Sequence, residues 1–151
     1  MIKLAHLVKL SVFSYENEDG DVILKSLVEF FPFNLGENKI EVKTSMAKGF
    51  NERKIMIYEL SVSKTALINR FLEKLSEGMG ETQKKILLDQ IELRLDEDLD
   101  FFMRFDKDSW VNERKLVLTD SGKCFHLKIS ISAFPRKREV ALNTIQDFFS
   151  V

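Results

Sequence analysis

The chain has 151 residues, 44% hydrophobic and 31% charged, with a formal net charge of -1 at pH 7. That length buries roughly two-thirds of the unfolded surface without staples, and the composition excludes disordered and collagen-like classes. A nearly neutral chain does not coat nucleic acid by bulk attraction, although local basic patches stay open to it.

The longest apolar run is far short of the ~20 residues needed to cross a bilayer, so no membrane partner is expected. The single cysteine, Cys124, cannot make an internal disulfide, which fits a cytoplasmic location. The first segment, MIKLAHLVKLSVFS, resembles a signal peptide only superficially. His6 and Lys9 interrupt its apolar core, and a strand over 4–13 is the better reading.

An acidic turn, YENEDGD, leads into a helix at about 20–32 with Ile23, Leu27, Phe30 and Phe31 as its apolar stripe. Strands are predicted at 38–46 and 54–62, joined by a turn built on Gly49 and Asn51. Ser63 caps a helix through about Gly78, and Gly80 restarts a helix to about Leu95. Strands at 100–105 and 114–119 follow, separated by DKDSWVNE. Phe125, Leu127, Ile129, Ile131 and Ala133 then alternate with His126, Lys128, Ser130 and Ser132, the period of a strand with one buried face. Pro135 ends it, and Ala141, Ile145, Phe148 and Phe149 recur at helical spacing.

The order is β-α-β-β-α-α-β-β-β-α. With few glycines or prolines to make a linker, residues 1–151 read as a single α+β two-layer domain. Its mainly antiparallel sheet carries helices on one face. The other face presents Lys9, Ser11, Lys43, Lys128, Ser130 and Ser132, interrupted by Leu7 and Phe13.

No metal or cofactor is expected. His6 and His126 are the two histidines, and Cys124 has no CxxC partner. Asp96, Glu97, Asp98 and Asp100 read as a solvated helix-to-strand turn. Nucleotide-binding, nucleophile-elbow and zinc-protease motifs are absent, so no enzyme is expected. Cys124 and His126 share a strand face, but no third group orients the imidazole, and no chemistry is assigned to them.

The basic residues are the better lead. Arg136, Lys137 and Arg138 fall in the first turn of the last helix, where the macrodipole disfavours each cation by ~0.3–1 kcal/mol. Local stability gives no reason for them and an anionic partner does; their replacement by glutamine is expected to raise thermal stability slightly. Lys48, Arg53 and Lys54 flank the hairpin turn, where backbone N–H groups and cations reach phosphates together. Arg104 and Lys107 bracket Phe105. Trp110 and Phe50 are candidate stacking rings for bases, with core or turn packing the simpler place for each.

Four stretches carry a family resemblance: VFSYENEDGDVILKSLVEFFP, TSMAKGFNERKIMIYE, FFMRFDKDSWVNERKLVL and KISISAFPRKREVALNTIQDFF. Their order and spacing span nearly the whole chain and resemble an archaeal family predicted to bind RNA and described as an exosome subunit. The resemblance implies an α+β fold related to a large-subunit ribosomal protein and likened to a double-stranded-RNA-binding domain. It also implies a cytoplasmic protein without catalytic residues. The hairpin departs from the family's wording at Glu52, which replaces a small or apolar residue.

The expected function is a non-enzymatic, RNA-binding accessory protein of RNA processing or the ribosome. Exosome or other RNA-processing proteins are its implied partners. Its phosphate contacts are Arg136, Lys137, Arg138, Lys48, Arg53, Lys54, Arg104 and Lys107. The alternative is a homodimeric protein-interaction module pairing through an apolar patch of Phe102, Phe13 and Leu7. Convergence of the basic clusters on one face would favour the first.

Overall fold

A computed structural model describes residues 3–120 and 122–150, the side chain of Phe50 excepted. Alternation of buried Val8, Leu10 and Val12 with Lys9, Ser11 and Phe13 makes a long first strand, β1 (Ala5–Tyr15). The Asp19 carboxylate then accepts from the Asp21 and Val22 amides, at 3.1 and 3.4 Å, and starts α1 (Gly20–Val28). After a loop come β2 (Lys43–Lys48), a 3-10 turn (Phe50–Glu52) and β3 (Lys54–Val62). The remaining elements are α2 (Thr65–Asp89), α3 (Ile91–Arg94), β4 (Asp100–Asp106), α4 (Lys107–Glu113), β5 (Cys124–Ile131) and α5 (Arg138–Phe149).

The strands form one antiparallel sheet in the order β2-β3-β1-β5-β4. This is the expected α+β architecture, a mainly antiparallel sheet with helices. The inward residues of the strands join Ile23 and Leu27 of α1, Ile68 and Phe71 of α2, and Ala141 and Ile145 of α5 in one buried cluster. Among the described residues, no helix is long and apolar enough to cross a membrane.

Local chemistry explains where boundaries differ from the sequence reading. The strand expected from 38 begins only at Lys43, because Lys39 is left-handed (φ 57°) and the Ile40 amide turns back to the Leu35 carbonyl at 2.9 Å. The hairpin turn uses left-handed Asn51 and Glu52, and the Gly49 amide donates to the Arg53 carbonyl at 2.7 Å. Gly80 (φ 74°, ψ 173°) breaks α2 where the sequence placed a restart. Ser63 is not the cap of α2; Lys64 holds that position, without a side-chain bond.

The segment DKDSWVNE is a helix rather than a separator. The Asp106 carboxylate caps α4, accepting from the Ser109 amide at 3.0 Å and its hydroxyl at 2.6 Å. Trp110 on this helix is core: its ring lies 4.1 Å from that of Phe30, and its indole N–H donates to the Ser26 carbonyl at 2.7 Å. Residues 114–119 pair with β4 only through a short bridge at Leu118. A longer strand is prevented on one side by left-handed Arg114. At Leu118 itself the amide donates to Gln83 Oε1 at 2.9 Å.

Candidate nucleic-acid interface

Strand register sets the rows of side chains on the face of the sheet opposite its buried side. One row runs Lys43, Glu59, Ser11, His126, Arg104, and the next runs Ser61, Lys9, Lys128, Phe102. Lys9 and Lys128 are directly opposed, an arrangement of like charges that costs stability in an antiparallel pair. The Lys9–Glu59 ion pair at 3.3 Å offsets part of that repulsion. Across the two rows the cations Lys43, Lys9, Lys128 and Arg104 outnumber the one carboxylate.

Aromatic rings stand among these cations. Phe13 is 38% exposed and Phe102 40% exposed, and the Phe13 and His126 ring centroids lie 5.9 Å apart. Burial, and then the charge of Arg104, lower the His126 pKa below its ordinary value. Its neighbour Cys124 is buried, with Sγ 3.5 Å from His126 Nε2, and burial raises its thiol pKa. A raised thiol pKa keeps the sulfur protonated near neutral pH.

The expected phosphate contacts sit in four different settings. Lys107 is only 1% exposed. Its ammonium donates to the Phe13 carbonyl at 2.5 Å and to Glu18 Oε1 at 2.7 Å, and lies 5.1 Å from the centroid of the Tyr15 ring. It is an internal structural cation, not a surface contact. Lys48 and Lys54 oppose each other near the hairpin tip and are exposed, as is Arg53. Arg53 and Lys54 line a cleft of about 520 Å³ with Tyr15, Glu16, Asn17 and Lys123. Arg104 alone of the eight lies within the rows of the open face, where its Nη1 also donates to the Asp120 carbonyl at 3.1 Å.

Arg136, Lys137 and Arg138 do not all lie inside the last helix. Lys137 is the cap of α5, Arg138 its first residue, and Arg136 precedes both. Arg138 donates to the carbonyls of Leu95 at 2.9 Å and Glu92 at 2.6 Å, and Arg136 to that of Asp98 at 3.2 Å. Local structure therefore does account for Arg138: it satisfies carbonyls at the C-terminal end of α3, where a cation is favourable. Arg138→Gln should lower the melting temperature by about 2–4 °C, the reverse of the gain expected from the sequence. A thermal melt of the single variant checks this.

The hairpin cluster and the C-terminal cluster do not converge. Tyr15 pairs with Ile55 at one end of β1, and Ala5 pairs with Ile131 at the other. The 11 residues between these ends span roughly 35 Å. What does converge is the middle of the open face: Lys9, Lys128 and Arg104 beside His126, Phe13 and Phe102. Sequence reasoning placed Lys9, Lys43, Lys128 and Phe13 on this face from their alternation, without joining them to Arg104.

The Asp96, Asp98 and Asp100 carboxylates gather within 4.8 Å of one another. Asp96 Oδ1 accepts from the Asp98 and Asp100 amides, both at 2.9 Å, and Asp100 Oδ1 accepts from the Ser130 hydroxyl at 2.5 Å. These bonds build the turn before β4. Phe50, the other candidate stacking ring, has a side chain outside what the structure describes.

A family model described as RNA binding matches residues 7–131 of the chain. The chain belongs to this RNA-binding family. The matched stretch begins in β1 and ends at the last residue of β5. It thus contains both rows of the open face and stops before Arg136. The chain is also similar to the RNA-binding protein PAB1135 of Pyrococcus abyssi (strain GE5 / Orsay), 25% identical over 145 residues that cover 95% of this chain and 93% of that protein. Among solved structures it resembles protein AF2318 from Archaeglobus fulgidus, with TM-score 0.83, 26% identity and coverage of 95% of this chain and 99% of that one. It shares its fold with Mth689 from Methanothermobacter thermautotrophicus, with TM-score 0.80, 24% identity and coverage of 97% and 99%.

Proposed function

We propose that this protein binds RNA through the open face of its sheet, as a non-enzymatic, cytoplasmic accessory factor of RNA processing or of ribosome-related complexes. The observation that carries the reading is the opposed pair Lys9–Lys128. Two lysines are paired across neighbouring strands on an uncovered surface of a chain from an RNA-binding family, with Glu59 offsetting only one of their charges, and a phosphate bound by both turns repulsion into attraction. Arg104 extends the positive stripe, and Phe13, His126 and Phe102 offer ring faces for unstacked bases.

Membership in the family and the similarity to PAB1135 support RNA as the ligand. Exosome proteins are the partners that the family resemblance suggests. Lys48, Arg53, Lys54, Arg136 and Lys137 supply weaker, peripheral attraction. Titration of a fluorescent RNA at several salt concentrations tests the reading. Affinity should fall log-linearly with salt, with a slope of about -0.7 per phosphate contacted on a single strand. Absence of binding at low salt would remove it.

The exposed rings Phe13 and Phe102 also suit a homodimer formed face to face. A two-fold pairing of this face would bring Lys9, Lys128 and Arg104 of two copies together, and that repulsion favours the RNA reading.

A further inference from the structure

Phe102 is a wall shared by two depressions. On one side lie Lys9, Ser11, Arg104, His126 and Lys128 of the open face. On the other is a pocket of about 470 Å³ bounded by Leu93, Arg94, Asp96, Phe102, Arg104 and Asp120. The second pocket differs from the sheet face in its chemistry. Leu93 and Phe102 are exposed apolar side chains in its lining, so they offer apolar surface to a flat ring. Asp96 and Asp120 add carboxylates where the sheet face is cationic. The Asp120 side chain is 82% exposed, and its Oδ1 lies 3.4 Å from Arg94 Nη2. Arg104 donates one N–H to the Asp120 carbonyl and retains others.

Arg94 and Arg104 balance the two carboxylates, so the lining has no net charge and offers both donors and acceptors, which suits a neutral group with a mixed hydrogen-bonding edge better than a phosphate. We propose that it receives one unstacked base of a single-stranded RNA whose backbone crosses Lys9, Lys128 and Arg104, and that the base is guanine. Guanine presents two N–H donors on its Watson–Crick edge, which a carboxylate accepts together. Its O6 and N7 are acceptors for a guanidinium. Asp120 supplies the first pairing and Arg104 the second, while Leu93 and Phe102 hold the ring. Adenine and cytosine lack the paired ring N–H and amino donors, and uracil has no amino group. A base inside a duplex is already stacked and paired, so duplex RNA does not reach the pocket.

This inference rests on the RNA reading above, and the test separates the two. Wild type is titrated with four labelled single-stranded oligouridylates, uniform or carrying one central guanine, adenine or cytosine, and with a duplex of the guanine strand. The single guanine should tighten binding about 10-fold over adenine, cytosine or uracil. Asp120→Asn should abolish that preference, so that the guanine strand binds this variant no more tightly than plain oligouridylate does. Phe102→Ala should weaken binding of the guanine strand about 10-fold. Equal affinity for all four single strands with a normal salt slope would overturn the pocket and leave the RNA reading standing. A preference for adenine, or for the duplex, would also overturn it. Absence of binding to any RNA would overturn both.

Discussion

Replacing Lys107 with methionine should lower the folding stability by roughly 3–5 kcal/mol, the usual loss when one member of a buried ion pair is removed. Lys107 is enclosed, and its ammonium satisfies both the Phe13 carbonyl and Glu18. Methionine fills the space but leaves a poorly solvated carboxylate and a backbone carbonyl without their donor. For a domain of this size the melting temperature should fall by about 10 °C. Adding Glu18→Gln should recover part of the loss, because the stranded charge is then gone.

The pH dependence follows from Glu18. Burial pushes its pKa up, but the Lys107 bond, the Tyr15 amide and the charges of Lys107 and Lys123 outweigh burial, so the folded pKa lies below the ordinary 4.5. A depressed carboxylate pKa stabilises the fold fully above the unfolded value. That stability is lost as pH falls from about 4.5 through the folded value, because the unfolded chain then binds more protons. Without the Lys107 bond and charge, burial is opposed only by the Tyr15 amide and Lys123, so the folded pKa rises and this stabilisation shrinks. The stability gap between wild type and Lys107→Met should therefore narrow as pH is lowered from 7 toward 4. Urea denaturation at a series of pH values measures the gap; a constant gap would show that the pair contributes no linkage.

The second large effect concerns the open face. Lys9→Gln, Arg104→Gln and Lys128→Gln combined should weaken single-stranded RNA binding roughly 100-fold at about 0.1 M salt and flatten the salt slope by about 2. Stability should hold or rise slightly, because the opposed Lys9–Lys128 pair is relieved. The same exchange at Lys48, Arg53 and Lys54 should have a smaller effect, since that cluster lies toward the far end of the strands. Substituting Lys107 should leave the slope unchanged in the folded protein, because its ammonium is already bound internally.

The contrast between these cations explains how far the sequence could be read. Period-2 alternation fixed β5 and its outward Lys128 and His126, and Gly80 marked the break in α2. Register was not legible: that Lys9 faces Lys128, or that Arg104 faces His126, depends on pairings across more than 20 residues. Lys107 and Glu18 are 89 residues apart, so nothing near FMRFDK announced that one of its cations is internal. The helix α4 carried a local signal, Asp106 three residues before Ser109, but the polar string around Trp110 outweighed it. Arg138 was misjudged because the helix dipole of α5 was weighed without the α3 carbonyls that the chain brings beside it.

The most direct measurement of the central claim is the change in backbone amide NMR shifts on adding a single-stranded RNA. The largest changes should fall on Lys9, Ser11, Phe102, Arg104, His126 and Lys128, with only weak changes at Lys48, Arg53 and Lys137. Changes confined to residues 48–54 and 136–138, with the middle of β1 and β5 unmoved, would contradict binding across the open face of the sheet.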